Sequence, residues 1–147
     1  MSISVTTHRT PVQLAATAVG AVFLVVGILG FVPGITTNVG SLGFAGHGSQ
    51  AMLLGLFQVS VLHNIVHVLF GIAGLALGRS AGTAKSYLTW GGTIYLVLFV
   101  YGLIFTGDTG ANFVPVNWAD NFLHLVLGVG MLVVGIALGR RAVLGRR

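Results

Sequence analysis

Ser60–Gly71 reads SVLHNIVHVLFG, and fifty-seven residues later Asn117–Gly128 reads NWADNFLHLVLG, the same pattern without a gap. Each copy opens on a helix-capping residue (Ser60, Asn117) and carries a polar residue three positions on (His63, Asp120). An amide (Asn64, Asn121), a histidine (His67, His124) and a glycine (Gly71, Gly128) follow in register. Serine and asparagine cap because their side-chain oxygens accept from the free N–H groups of the first turn. Each stretch therefore reads as the start of a helix, with polar side chains where hydrocarbon is expected.

The rest of the chain explains why hydrocarbon is expected. Of 147 residues, seven are basic, two acidic and 55% apolar, a balance foreign to soluble domains of this length. Crossing a hydrocarbon core of about 30 Å takes an apolar helix of roughly 20 residues. Four runs qualify: 11–32, 60–78, 87–106 and 118–139. They are continuously apolar rather than alternating, which excludes a transmembrane barrel. The expected fold is an all-α membrane protein, a single four-helix bundle built from two helical hairpin repeats, about 10–79 and 86–140. Each repeat holds an even number of crossings, so the copies relate by a pseudo-twofold axis along the membrane normal. With no cysteine, there is neither a disulfide frame nor a thiolate ligand.

Charge sets the orientation. The basic residues fall at Arg9, at Arg79 and Lys85, and at Arg140, Arg141, Arg146 and Arg147, before span one, between spans two and three, and after span four. By the positive-inside rule both termini are cytoplasmic, and a plasma-membrane location is expected. No basic run is interleaved with aromatics, so nucleic acid is not an expected partner. The lipid bilayer is, together with other membrane proteins or further copies of the chain.

Local signals fill in the path. Thr10-Pro11 with Gln13 reads as a capped helix start with proline at the first helical position, and the span that follows reads as retained rather than as a cleaved leader. Residues 34–50 form an outer loop containing His47, read as solvated. Ala51–Phe57 is too short to cross, and is expected as an interfacial helix or a segment folded back over the bundle mouth. RSAGTAKS (79–86) is expected as a cytoplasmic turn, with Tyr87 and Trp90 in an inner aromatic belt and Trp118 in an outer one. Gly74 and Gly78 make a GxxxG pair that Gly135 and Gly139 repeat. Tyr95 and Tyr101 are the polar handles of span three, and Asp108 sits in an outer turn.

Taking Ser60 and Asn117 as caps and about 1.5 Å of rise per residue, His67 and His124 lie roughly 10 Å below the outer helix ends. A polar face at that depth turns inward or toward a water-filled cavity. A structural reading has Ser60, Asn64, His67, Asn117, Asn121 and His124 form a hydrogen-bonded network that selects one packing of the bundle. A ligand reading uses His63 with His67 and Asp120 with His124 as two i, i+4 pairs offering three nitrogens and a carboxylate to a divalent metal such as zinc. A bis-histidine haem on His67 and His124 and a small-molecule or proton path lined by the same residues complete the set.

FQVSVLHNIVHVLFG, YLVLFVYG and ANFVPVNWADNFLHLVLGVGM, with the basic C-terminal tail, resemble an uncharacterised four-span membrane family, mostly actinobacterial, catalogued as a domain of unknown function (DUF 4383). Its motifs, HNxxH and ADNxLH, stand at His63, Asn64 and His67 and at Ala119, Asp120, Asn121, Leu123 and His124. The resemblance implies a multi-pass plasma-membrane protein and brings no activity, cofactor or catalytic residue. The expected function is that of a non-enzymatic accessory or scaffold component of a membrane assembly. The alternatives are a metal- or haem-dependent membrane oxidoreductase or sensor and a small oligomeric channel or carrier.

Overall fold

In the computed structural model, residues 8–46, 48–105, 111 and 113–144 are described. His47, Asp108, Arg146, Arg147 and the side chain of Arg141 lie outside the described residues. Four helices carry the chain: α1 (Pro11–Leu29), α2 (Val61–Leu77), α3 (Ala81–Ile104) and α4 (Trp118–Leu144). By length and composition α1, α3 and residues Trp118–Arg140 of α4 suffice to cross a membrane, while α2 is a shorter apolar helix of 17 residues.

The first helix starts where its capping residues put it. Gln13 Oε1 accepts the Thr10 backbone N–H at 2.9 Å, and Pro11 occupies the first helical position, where its missing N–H costs nothing. The Gln13 amide also donates to the Arg79 carbonyl at 2.7 Å, tying the beginning of α1 to the end of α2. The α1 helix stops at Leu29, short of the expected Val32, because Val32 precedes Pro33 and is steered away from helical dihedrals.

The expected cytoplasmic turn at 79–86 is mostly helix. Ser80 is a second cap, its Oγ accepting the Thr83 N–H at 3.3 Å, so α3 begins at Ala81. This earlier start carries Tyr87 into the bundle instead of an inner belt. It is buried, and its hydroxyl donates to the Phe70 carbonyl at 3.2 Å. Trp90 and Trp118 are exposed.

Helix α1 packs mainly on α2, and α3 mainly on α4. At each crossing the backbones touch: a Cβ on Gly20 would stand 2.8 Å from the Gly74 carbonyl carbon, and one on Gly92 would stand 2.7 Å from the Gly128 oxygen. Small residues permit this approach, which drives helix association in lipid through dispersion rather than the hydrophobic effect. The packing shifts the register of the expected GxxxG repeat. Gly78 lies against Thr17 and Gly135 against Thr89, whereas Gly139 abuts the Lys85 stem, so Gly135 matches Gly78 rather than Gly74. Phe23, Tyr87, Leu88, Tyr95 and Met131 fill the core between the helix pairs.

The long α1–α2 connection folds over one end of the bundle. It holds a three-stranded antiparallel sheet, β1 (Thr36–Thr37), β2 (Met52–Leu53) and β3 (Phe57–Gln58), in the order β1-β2-β3. Thr36 stands opposite Leu53, and Leu53 opposite Phe57. Ala51–Phe57 is therefore a segment folded back, not an interfacial helix. Leu54 and Gly55 turn it with φ of 54° and 69°, the left-handed region that glycine enters freely and leucine rarely. Ala51, Leu53 and Val59 are buried beneath this sheet against Val26 and Leu29 of α1.

Candidate functional site

The paired polar stretches begin as helix caps. Ser60 Oγ accepts the His63 N–H at 3.1 Å, while the N–H groups of Val61 and Leu62 donate to the carbonyls of Gly43 and Phe44 at 3.0 and 2.9 Å. Three free donors of the first turn of α2 are thereby satisfied. At α4 the cap is reciprocal: Asn117 Oδ1 accepts the Asp120 N–H at 2.9 Å, and Asp120 Oδ2 accepts the Asn117 N–H at 3.1 Å. The same Asp120 oxygen accepts the Gln58 N–H at 3.0 Å, and the Asn117 amide donates to the Leu56 carbonyl at 2.8 Å. One carboxylate and one carboxamide thus both start α4 and clasp the β2–β3 hairpin to it.

The two amides behave as helix-packing groups. Asn64 and Asn121 are fully buried, and each lies where a Cβ on the facing glycine, Gly30 or Gly102, would overlap its carboxamide. With its carboxamide turned so that both ends are satisfied, Asn121 Nδ2 donates to the Phe99 carbonyl and Oδ1 accepts the Leu103 N–H, both at 3.2 Å, so it inserts into the end of the α3 ladder. The Asn64 amide has no hydrogen-bond partner among the described residues.

The histidines converge on a cavity. His63, His67, His124, Asp120 and Tyr95 line a space of about 400 Å³ whose remaining walls are apolar side chains of α1, α4 and the hairpin, among them Val22, Phe23 and Leu54. His67 Nε2 and the Tyr95 hydroxyl are 3.0 Å apart. The His63 and His67 rings are 4.5 Å apart, Phe23 stands 5.4 Å from His67, and Tyr95 stands 5.1 Å edge-on to His124. His63 and His124 are 8% and 3% exposed, and the Nδ1 atoms of His63, His67 and His124 are buried with no hydrogen-bond partner among the described residues. A buried polar atom left unpaired costs about 1–3 kcal/mol, and these nitrogens add almost nothing to the surface of the space, which is nearly wholly apolar. Val22 and Leu54 are 60% and 62% exposed, which places the mouth of the cavity on the apolar flank of the bundle.

All four residues expected as metal ligands, His63, His67, Asp120 and His124, meet at this cavity. Among the described residues, no three histidine or carboxylate groups stand close enough together to hold a metal ion, and Asp120 Oδ2 is already committed to two backbone N–H groups. Of the residues expected as a polar network, Ser60 and Asn117 cap, Asn64 and Asn121 face glycines, and His67 and His124 face the cavity. Sequence reasoning gave no special place to Phe23, Gly102 or Gln58, and gave Tyr95 only a packing role. The one available signal was Tyr95, a hydroxyl set in the middle of an apolar span.

Residues 13–137 match the family model described as Domain of unknown function (DUF4383), and the chain belongs to that family. No curated protein and no solved structure matches it.

Proposed function

We propose that this member of the DUF4383 family crosses the plasma membrane four times and serves as a non-enzymatic accessory protein whose cavity holds a small membrane-soluble molecule. The observation that carries the reading is a cavity of about 400 Å³ with an almost wholly apolar surface, whose lining includes the exposed side chains of Val22 and Leu54. A cavity of this size lies within the roughly 300–1,000 Å³ typical of small-molecule sites, which combine apolar walls with a few placed polar groups.

Several contacts support the four-span part. At 17 residues α2 is about 25 Å long, the short end of what crosses a bilayer, and it packs along α1, which is long enough. The Gln13–Arg79 bond holds Arg9 and Arg79 at one end of the bundle, and the Gly139–Lys85 contact brings Lys85 and Arg140 together. That end is the cytoplasmic one, and the hairpin and histidines belong to the outer leaflet. The duplication is supported by matched contacts. Gly20 with Gly71, Phe23 with His67 and Gly30 with Asn64 in the first hairpin correspond to Gly92 with Gly128, Tyr95 with His124 and Gly102 with Asn121 in the second.

The test is binding of a neutral fluorescent hydrophobe, N-phenyl-1-naphthylamine, to the purified chain in nanodiscs. Saturable binding near one per chain, lost when Leu123→Trp fills the cavity, is expected. Binding that never saturates, or is indifferent to Leu123→Trp in a folded protein, sinks the proposal.

A further inference from the structure

The shape of the cavity narrows what it holds. Ala18, Val22 and Val26 line it at intervals of one helical turn along α1, and Leu123 and Leu127 line it one turn apart along α4. At about 1.5 Å of rise per residue the α1 side is about 12 Å long, close to the hydrocarbon half of a bilayer, about 15 Å. The space is therefore a groove running with the helices, and it is open sideways, since Ala18 and Val22 are exposed. Its floor is closed: the Phe23, Tyr95, His63 and His67 rings pack directly on one another, with centres 4.5–5.4 Å apart from ring to neighbouring ring. An almost wholly apolar surface gives water no partners and a polar head no anchor. The matched contacts of the two hairpins set Trp90, Ile94 and Leu98 where the first hairpin has Ala18, Val22 and Val26, and set Phe70 where the second has Leu127. Phe70 lies against Gly91 and 4.8 Å from the Tyr87 ring, so larger side chains occupy the counterpart of the groove.

Resting on the binding reading above, we infer that the occupant is one acyl chain of a bilayer lipid, drawn from the leaflet that meets the hairpin end of the bundle. The chain enters past Val22 and Leu54 and lies along α1 from Val26 to Ala18, with α4 as its other wall. Its headgroup stays outside at the membrane surface, where no residue of the groove has to recognise it. A flexible run of methylenes follows a slot of this length and touches both walls throughout, whereas a compact hydrophobe of equal carbon number reaches only part of it.

The experiment places the full chain in nanodiscs of phosphatidylcholine doped with the same lipid carrying a diazirine midway along one acyl chain, and maps the photo-adducts by mass spectrometry. Adducts at Val22, Val26, Leu123 and Leu127 are expected to exceed those at Val25 and Val126 at least fivefold. The latter two lie at the same height on the same helices and are exposed, but stand outside the groove lining. Leu123→Trp is expected to bring the groove adducts down to the level of Val25 and Val126. With wild-type protein, n-decane is expected to displace N-phenyl-1-naphthylamine at least fivefold more effectively than adamantane, which has the same number of carbons. Equal adducts inside and outside the groove, or equal displacement by decane and adamantane, remove the acyl chain, and a reporter that still saturates then leaves a cavity for compact hydrophobes. A reporter that never saturates, with adducts spread evenly, removes both readings together.

Discussion

Gly30 and Gly102 give up a side chain so that a carboxamide on the neighbouring helix can lie against the backbone. A methyl group at either site overlaps Asn64 or Asn121, and overpacking of this kind costs about 1–3 kcal/mol. Gly102→Ala should therefore lower the thermal midpoint of the purified protein, and adding Asn121→Ala should restore part of the loss. Additive losses in the double variant would show that the two residues do not meet. At the cavity wall, Tyr95→Phe leaves the ring and removes the partner of His67 Nε2. The expected cost is about 1 kcal/mol, read in the same melting experiment, whereas an unchanged midpoint would deny the bond any weight. The sequence singles out the histidines and asparagines because polarity in an apolar run is conspicuous. It hides Gly102 among 23 glycines, since what distinguishes it is the side chain it faces across a helix interface.

At the scale of elements, the start of α4 and the β2–β3 hairpin are one unit. Asp120 Oδ2 holds the N–H groups of both Asn117 and Gln58. Replacing it by alanine removes a cap, worth about 1 kcal/mol, and also the clasp on β3. In Asp120→Ala the Gln58 and Asn117 amides should exchange with deuterium faster than in wild type, while the amides at the centre of α3 keep their protection. Unchanged exchange at Gln58 would mean that the hairpin is held by its apolar underside alone. The caps are legible in sequence because they depend on residues three positions apart. The hairpin is not, because two-residue strands give no periodicity and its turn uses Leu54 at positive φ rather than an Asn-Gly pair. What fixes it is Asn117 and Asp120, some 60 residues away. The early start of α3 was legible in principle: Ser80 caps it, but hydropathy rises only after Ser86 and draws the boundary too late.

For the molecule as a whole, continuous apolar runs announce four helices, three of them of membrane length, and the DUF4383 motifs mark the starts of α2 and α4. The cavity is a product of assembly. Its ring wall draws Phe23 from α1, His63 and His67 from α2, Tyr95 from α3 and His124 from α4, and no single stretch contains it. Its position matters as much as its lining, because a mouth on the apolar flank near the outer end, as proposed above, would admit molecules from lipid rather than from water. That placement depends on which end of the bundle faces out. The most direct measurement is impermeant maleimide labelling of intact cells carrying single-cysteine variants, in a chain with no cysteine of its own. The account predicts labelling of Phe44→Cys and Phe113→Cys from outside, and of Arg79→Cys and Arg9→Cys only after the membrane is opened. Labelling of Arg79→Cys on intact cells, or protection of both Phe44→Cys and Phe113→Cys, would contradict it.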